Sequence, residues 1–145
     1  MKKRFFKKVG SIIIAFFSLL FSDHCFSQSG QLKFVEVNYV KFNIETFDDV
    51  RCQEFEKAFK TDQYLKKLIE DSLQLAHISD AFKAIKYKND TTSINVRAKL
   101  YLHYSYKIDP TIICLNKFFD IMINGKLIKK NKQLSRVLSD LLYQR

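Results

Sequence analysis

From Ile94 to Ile108 the chain alternates without a break. Ile94, Val96, Ala98, Leu100, Leu102, Tyr104, Tyr106 and Ile108 hold the even positions, and Asn95, Arg97, Lys99, Tyr101, His103, Ser105 and Lys107 the odd ones. Successive side chains of an extended strand point to opposite faces, so a period of two predicts a long strand over 94–108 with one face in a core. The other face, carrying Arg97, Lys99, Tyr101 and His103, would be a polar, basic ladder turned to solvent or to a partner. Asp109 and Pro110 then turn the chain.

Residues 32–44, LKFVEVNYVKFNI, are rich in β-branched and aromatic side chains but change phase. Val35, Val37 and Tyr39 fall on odd positions, and Val40, Phe42 and Ile44 on even ones; a bulge near Tyr39 would keep both sets on one core. Over 111–128, TIICLNKFFDIMINGKLI, the pattern predicts two short strands with a break near Asn116 and Lys117. Asn124 and Gly125 follow, a pair that tolerates the positive φ angles of a type I′ hairpin turn.

Three stretches carry the helical period instead. Cys52, Phe55 and Phe59 recur at i, i+3, i+7 behind Asp48 and Asp49, which predicts a short helix with Cys52 on its buried side. Leu75, Ile78, Phe82 and Ile85 predict a helix over 72–87, capped by Asp71 or Ser72. Asn131 precedes Leu134, Val137, Leu138, Leu141 and Leu142, an amphipathic final helix. Leu65, Leu68 and Ile69 suit a helix face or a strand, and 63–70 stays open between the two. The order of elements predicts an α+β, two-layer domain: a mainly antiparallel sheet of about 4–5 strands with three helices gathered on one face.

The first thirty residues have a different character. Lys2, Lys3, Arg4, Lys7 and Lys8 come with no acidic residue, and the apolar run Val9–Phe21 spans 13 residues. A helix crossing the hydrocarbon core needs about 20, so the arrangement reads as a secretory signal rather than a permanent span. The small residues Cys25 and Ser27 favour a cut before Gln28, which makes 1–27 a signal peptide and 28–145 a single domain. Lipidation at Cys25 is disfavoured by Asp23 and His24 in front of it. The expected location is the periplasm or exterior of a Gram-negative bacterium, with a lipid-anchored form as the lesser alternative.

Removing residues 1–27 changes both charge and cysteine arithmetic. They hold five Lys/Arg and one Asp, a net of +4, so +6 remains of the total of +10. Such a balance permits an acidic partner or anionic surface. Yet 20 Lys against 5 Arg, with abundant Ile, Asn and Phe, also fits lysines that merely solvate a surface, and no specific nucleic-acid binding is expected. Cys52 and Cys114 remain as an even pair in an oxidising compartment, a candidate disulfide.

Strong catalytic motifs are missing from the sequence. Three glycines leave no phosphate-cradling loop, and there is no CxxC, HExxH or spaced acidic calcium loop, so no metal or cofactor is expected. His77 falls on the solvent side of its helix. Cys114 with His103 is the one enzymatic pairing worth stating, a thiolate beside imidazole serving a hydrolase. It requires the turn at Asp109 and Pro110 to put Cys114 on the side of His103 rather than in the core with Tyr104 and Tyr106. The most distinctive surface is basic: Lys126, Lys129, Lys130, Lys132 and Arg136 lie within eleven residues, and no acidic residue occurs from Ile121 to Ser139. The leading expectation is a non-enzymatic binding or interaction module, with an inhibitor or immunity protein as a subtype. Its partner would be another protein or an anionic surface. The alternatives are the hydrolase and a membrane-anchored structural subunit.

Overall fold

A computed structural model describes residues 30–60, 62–90 and 92–143; the expected signal peptide over 1–27 and Cys25 lie outside them. Strand β1 (Leu32–Tyr39) is followed by a 3-10 turn (Cys52–Glu54) that runs into α1 (Phe55–Ala58). Then come β2 (Leu65–Ile69), α2 (Ser72–Phe82), β3 (Val96–Tyr104), β4 (Thr111–Asn116), β5 (Ile121–Ile123), β6 (Lys126–Leu127) and α3 (Lys132–Tyr143). The class is α+β, and all six strands join one antiparallel sheet in the order β2-β1-β3-β4-β5-β6. The sheet therefore has one or two strands more than expected. The open stretch 63–70 supplies β2, and the hairpin at Asn124 and Gly125, with φ of 46° and 79°, adds the two-residue β6.

Both faces of this sheet are buried, in separate cores. On one, Val35, Val37, Leu100, Leu102, Ile113 and Leu115 meet Leu75, Ile78, Leu134, Leu138 and Leu141 of α2 and α3. On the other, Val96, Cys114, Met122 and Leu127 meet Val40, Val50, Cys52, Phe55 and Phe59. The first helix thus sits on the face opposite the other two. The expected gathering of three helices on one face fails because Cys114 is one residue out of phase with Ile113 and Leu115, and Cys52 must reach it.

Two cores also account for the phase change in residues 32–44. Val35 and Val37 face the helices, whereas Val40 and Ile44 turn to the second core. No bulge is needed at Tyr39, and that expectation is corrected. Register shifts lie instead at Lys33, where Leu32 pairs with Tyr104 and Phe34 with His103, and across the sheet at Arg97, where Val96 pairs with Asn116 and Ala98 with Leu115, leaving one extra residue on β3. The shift at Arg97 carries Val96 and Ile94 to the second core while Ala98, Leu100 and Leu102 stay in the first. The unbroken alternation of 94–108 therefore spans two cores and, at its far end, none: β3 stops at Tyr104, and Tyr106 and Ile108 are exposed.

The helices are held by local signals of unequal quality. Asp71 caps α2 by accepting from the Gln74 N–H at 2.9 Å. Asn131 caps α3 in the same way, taking the Leu134 N–H at 3.1 Å. Helix α2 ends at Phe82, five residues before the expected end at Tyr87, and 86–88 becomes extended. The segment at Cys52 has no side-chain cap; Arg51, not Asp48 or Asp49, stands at its start. Four residues of α-helix are far below the length that is stable alone, so this element depends on its anchors: Phe55 and Phe59 in the second core, and a disulfide from Cys52 to Cys114 with Cα atoms 5.9 Å apart.

Candidate functional site

The polar ladder expected on β3 divides in two. Arg97 and Lys99 are buried, at 4% and 7% exposure, because the 40–58 segment covers their end of the face. The Arg97 guanidinium donates to the Ile44 carbonyl (3.1 Å), the Val96 carbonyl (3.0 Å), Thr46 Oγ1 (3.3 Å) and Asn95 Oδ1. Burial pushes its pKa down, opposed by the charge of Asp49. Asn95 Oδ1 also accepts the Val50 N–H at 3.1 Å, so this cluster ties the loop before α1 to the start of β3.

Lys99 and Tyr101 share one partner. Lys99 Nζ donates to Glu56 Oε2 at 2.9 Å and the Tyr101 hydroxyl to Glu56 Oε1. Burial works to raise the Glu56 pKa, but the hydrogen bonds from Tyr101 and Lys99 outweigh it and hold the group below its ordinary value. Burial works to lower Lys99, and its bonds to Tyr101 and Glu56 reverse the sign. Tyr101 is raised, by burial first and then by donating to Glu56. Each direction favours a carboxylate, an ammonium and a neutral phenol. The set is a fixed charge pair, with no group poised to exchange a proton near neutrality.

His103 stands at the open end. Its ring stacks on Phe34, with centroids 4.2 Å apart and planes 14° from parallel. Nε2 lies 3.1 Å from Glu36 Oε1, yet it makes no hydrogen bond: the ring N–H is not aimed at the carboxylate, so the contact is proximity only. Cys114 pairs with Lys99 across β3 and β4, which puts it on the same face as His103. Its sulfur is nevertheless bonded to Cys52, and in this state no thiolate exists to attack a substrate. His77 is exposed on α2. Among the described residues no group of three or more His, Cys, Asp or Glu is placed to hold a metal ion.

The basic cluster has a more definite shape than its sequence. Lys126, Lys129, Lys130, Lys132 and Arg136 are all exposed, on β6, the following loop and α3. A second segment joins them. Tyr87 bridges Ile128 antiparallel, the Lys88 N–H donates to the Leu127 carbonyl (2.9 Å) and the Lys129 N–H to the Lys86 carbonyl (2.7 Å). Residues 86–88 thus run beside 127–129, adding Lys86 and Lys88 to the same sheet edge, with the Tyr87 side half-exposed between them. None of the seven cations has an ion-pair partner among the described residues. Because Asn131 already occupies the Leu134 N–H, the pull on an anion rests chiefly on these side chains. Lys86 and Lys88 escaped the sequence reading because Ile85 extended the helical period through them; the signal available was their alternation about Tyr87.

Two open clefts complete the surface. One, of about 690 Å³, lies between the 41–50 loop and α1, walled by Ile44, Val50 and Phe59 with the fully exposed Phe47 at its margin. The other, of about 520 Å³, runs along the β1 and β2 face between Phe34, Glu36, Lys66 and Leu68. No helix of the described residues is long and apolar enough to cross a membrane. No protein-family model, curated protein or solved structure matches the chain.

Proposed function

We propose that this chain is a small exported binding or interaction module, without catalysis of its own, that docks an acidic partner along its basic edge. One observation carries the reading: six exposed cations and the half-buried Lys88, from two separate segments, 86–88 and 126–136, converge on one sheet edge with no ion pairs of their own among the described residues. Unpaired like charges repel, and an anionic surface that neutralises them relieves that repulsion. An inhibitor or immunity protein, which presents a sheet edge or hairpin to an enzyme, is the subtype that fits this use of the fold.

The reading is tested by titrating the full exported chain, disulfide intact, with a sulfated polysaccharide and with phosphatidylglycerol vesicles, at roughly 0.1 M salt where exposed charges are already partly screened. Replacing Lys129, Lys130 and Lys132 with Gln should weaken binding at least tenfold, and adding Lys86→Gln and Lys88→Gln should weaken it further. Unchanged affinity in the triple variant overturns the proposal. Export and cleavage are tested together by fractionation and intact mass: a chain starting at Gln28 outside the cytoplasm supports both, a mass retaining residues 1–27 or carrying lipid at Cys25 overturns the cut before Gln28, and protein confined to the cytoplasm overturns export.

A further inference from the structure

Phe47 is fully exposed, at 110%, although the loop that carries it is tied down on both sides. Before it, the Ile44 carbonyl accepts from Arg97 Nε (3.1 Å), and Thr46 Oγ1 from Arg97 Nη2 (3.3 Å) and Asn95 Nδ2 (3.4 Å). After it, the Val50 N–H donates to Asn95 Oδ1 at 3.1 Å. The ring is held out to solvent between fixed points, so less freedom is lost when a partner covers it. A large aromatic side chain in that position is suited to anchor a protein interface.

The surroundings of Phe47 define what would cover it. It stands at the margin of the 690 Å³ cleft walled by Ile44, Val50 and Phe59, and the charged lining residues are Glu45, Asp48, Asp62 and Lys41. Three carboxylates to one ammonium reverse the basic balance of the chain, and none of the three has an ion pair among the described residues. The matching surface is an aromatic or apolar side chain carried among cations.

The chain presents such a surface itself. On the basic edge Tyr87 is 50% exposed, with Lys86 and Lys88 beside it in the sequence. Its bridge to Ile128 sets Lys86 directly opposite Lys129, a like-charge pair whose repulsion a carboxylate lying between them would relieve. The cleft cannot receive its own Tyr87. Leu65 on the cleft wall belongs to β2 at one end of the strand order, and residues 86–88 lie beyond β6 at the other, five strand spacings of about 4.8 Å away. A second molecule can bring the two together, in a contact between unlike patches.

We infer that copies of this chain dock on one another, the acid-rimmed cleft and Phe47 of one receiving Tyr87, Lys86 and Lys88 of the next. The inference rests on the basic-edge reading and names a second copy as the acidic partner.

The test is sedimentation equilibrium of the full exported chain, disulfide intact, over a wide range of concentration, beside the sulfated-polysaccharide titration. The average mass should rise above that of the monomer as concentration rises. Raising salt from roughly 0.1 M to 1 M shortens the screening length from about 10 Å to 3 Å and should weaken association. The variant Phe47→Ser/Asp48→Asn/Asp62→Asn should self-associate about tenfold or more weakly, yet bind polysaccharide as before, which also reports that it is folded. Lys86→Gln/Lys88→Gln should weaken both. An equimolar mixture of these two variants should form a one-to-one complex that neither forms alone, because each keeps the patch the other lacks. A chain that stays monomeric while binding polysaccharide overturns the inference and leaves the basic edge standing. So does association untouched by the changes at Phe47, Asp48 and Asp62, or a mixture that stays monomeric. A chain that binds neither polysaccharide nor itself overturns both readings.

Discussion

Lys99 in the middle of β3 places its ammonium 2.9 Å from the carboxylate of Glu56, a residue 43 positions earlier in α1. The lysine side chain is 8% exposed and the glutamate 33%, so the pair lies where the short helix crosses the sheet. Removing Glu56 leaves a buried ammonium uncompensated, whereas removing both charges does not. Glu56→Ala should cost about 2 kcal/mol in chemical denaturation, scaled down for its partial exposure, and the double variant Glu56→Ala/Lys99→Met should recover most of that loss. A double-mutant cycle without positive coupling would contradict a favourable pair.

The same pair sets a pH window. A carboxylate held below its ordinary pKa contributes stability that is present above that value and lost as pH falls through the folded-state pKa. For Lys99 and Tyr101, both raised, the contribution is present below their ordinary values and lost as pH rises through the folded ones. Thermal unfolding should therefore show a plateau between these limits. Glu56→Gln should flatten the acid limb and leave the region near neutrality lower.

The disulfide makes a separate prediction. Cys114 is fully buried and Cys52 nearly so. Native protein should resist alkylation until it is both unfolded and reduced. Replacing both cysteines with Ser should cost about 4 kcal/mol on the loop-entropy estimate for a separation of 62 residues. Rapid labelling of native protein by a thiol reagent would contradict the bridge.

At the turn between β4 and β5, Asn116 Oδ1 accepts from the Phe118 and Asp120 N–H groups, each at 2.9 Å, and its Nδ2 donates to Asp120 Oδ2 at 3.0 Å. These bonds hold Phe119 at a φ of 58°. Asn116→Ala leaves the donors unmatched and should lower stability by about 2 kcal/mol. Asn116→Asp keeps the acceptor but faces Asp120, and should be rescued by lowering the pH.

In the helix-side core Leu138 is completely buried between sheet and α2. Leu138→Ala should cost about 2–5 kcal/mol by calorimetry, whereas Leu73→Ala, on the exposed side of α2 at 70%, should change little.

Periodicity made the elements legible and left their faces ambiguous. Alternation marked β3, the caps at Asp71 and Asn131 marked two helix starts, and the Asn124 and Gly125 pair marked a hairpin, all from signals within a few residues. What decided the layers was not local. The odd phase of Cys114 and the extra residue at Arg97 send apolar side chains to a second core, and neither can be told from a one-core pattern without knowing that residues 40–58 cover the far face. Arg97 and Lys99 read as a solvent ladder for the same reason: their partners, Ile44, Thr46 and Glu56, lie more than 40 residues away. The four lysines and one arginine of 126–136 were visible as a run, but Lys86 and Lys88 join them only through backbone pairing with Leu127 and Lys129.

The lid formed by α1 is too short to persist as a helix by itself, and one of its ties is a bond that exists only under oxidation. Before Cys52 and Cys114 join, the face carrying Val96, Met122 and Leu127 is covered only by the packing of Val40, Val50, Phe55 and Phe59 and by the bonds of Glu56 to Lys99 and Tyr101. Closure of this face is thereby tied to redox conditions. Reduction should therefore loosen α1 while the helix-side core stays packed.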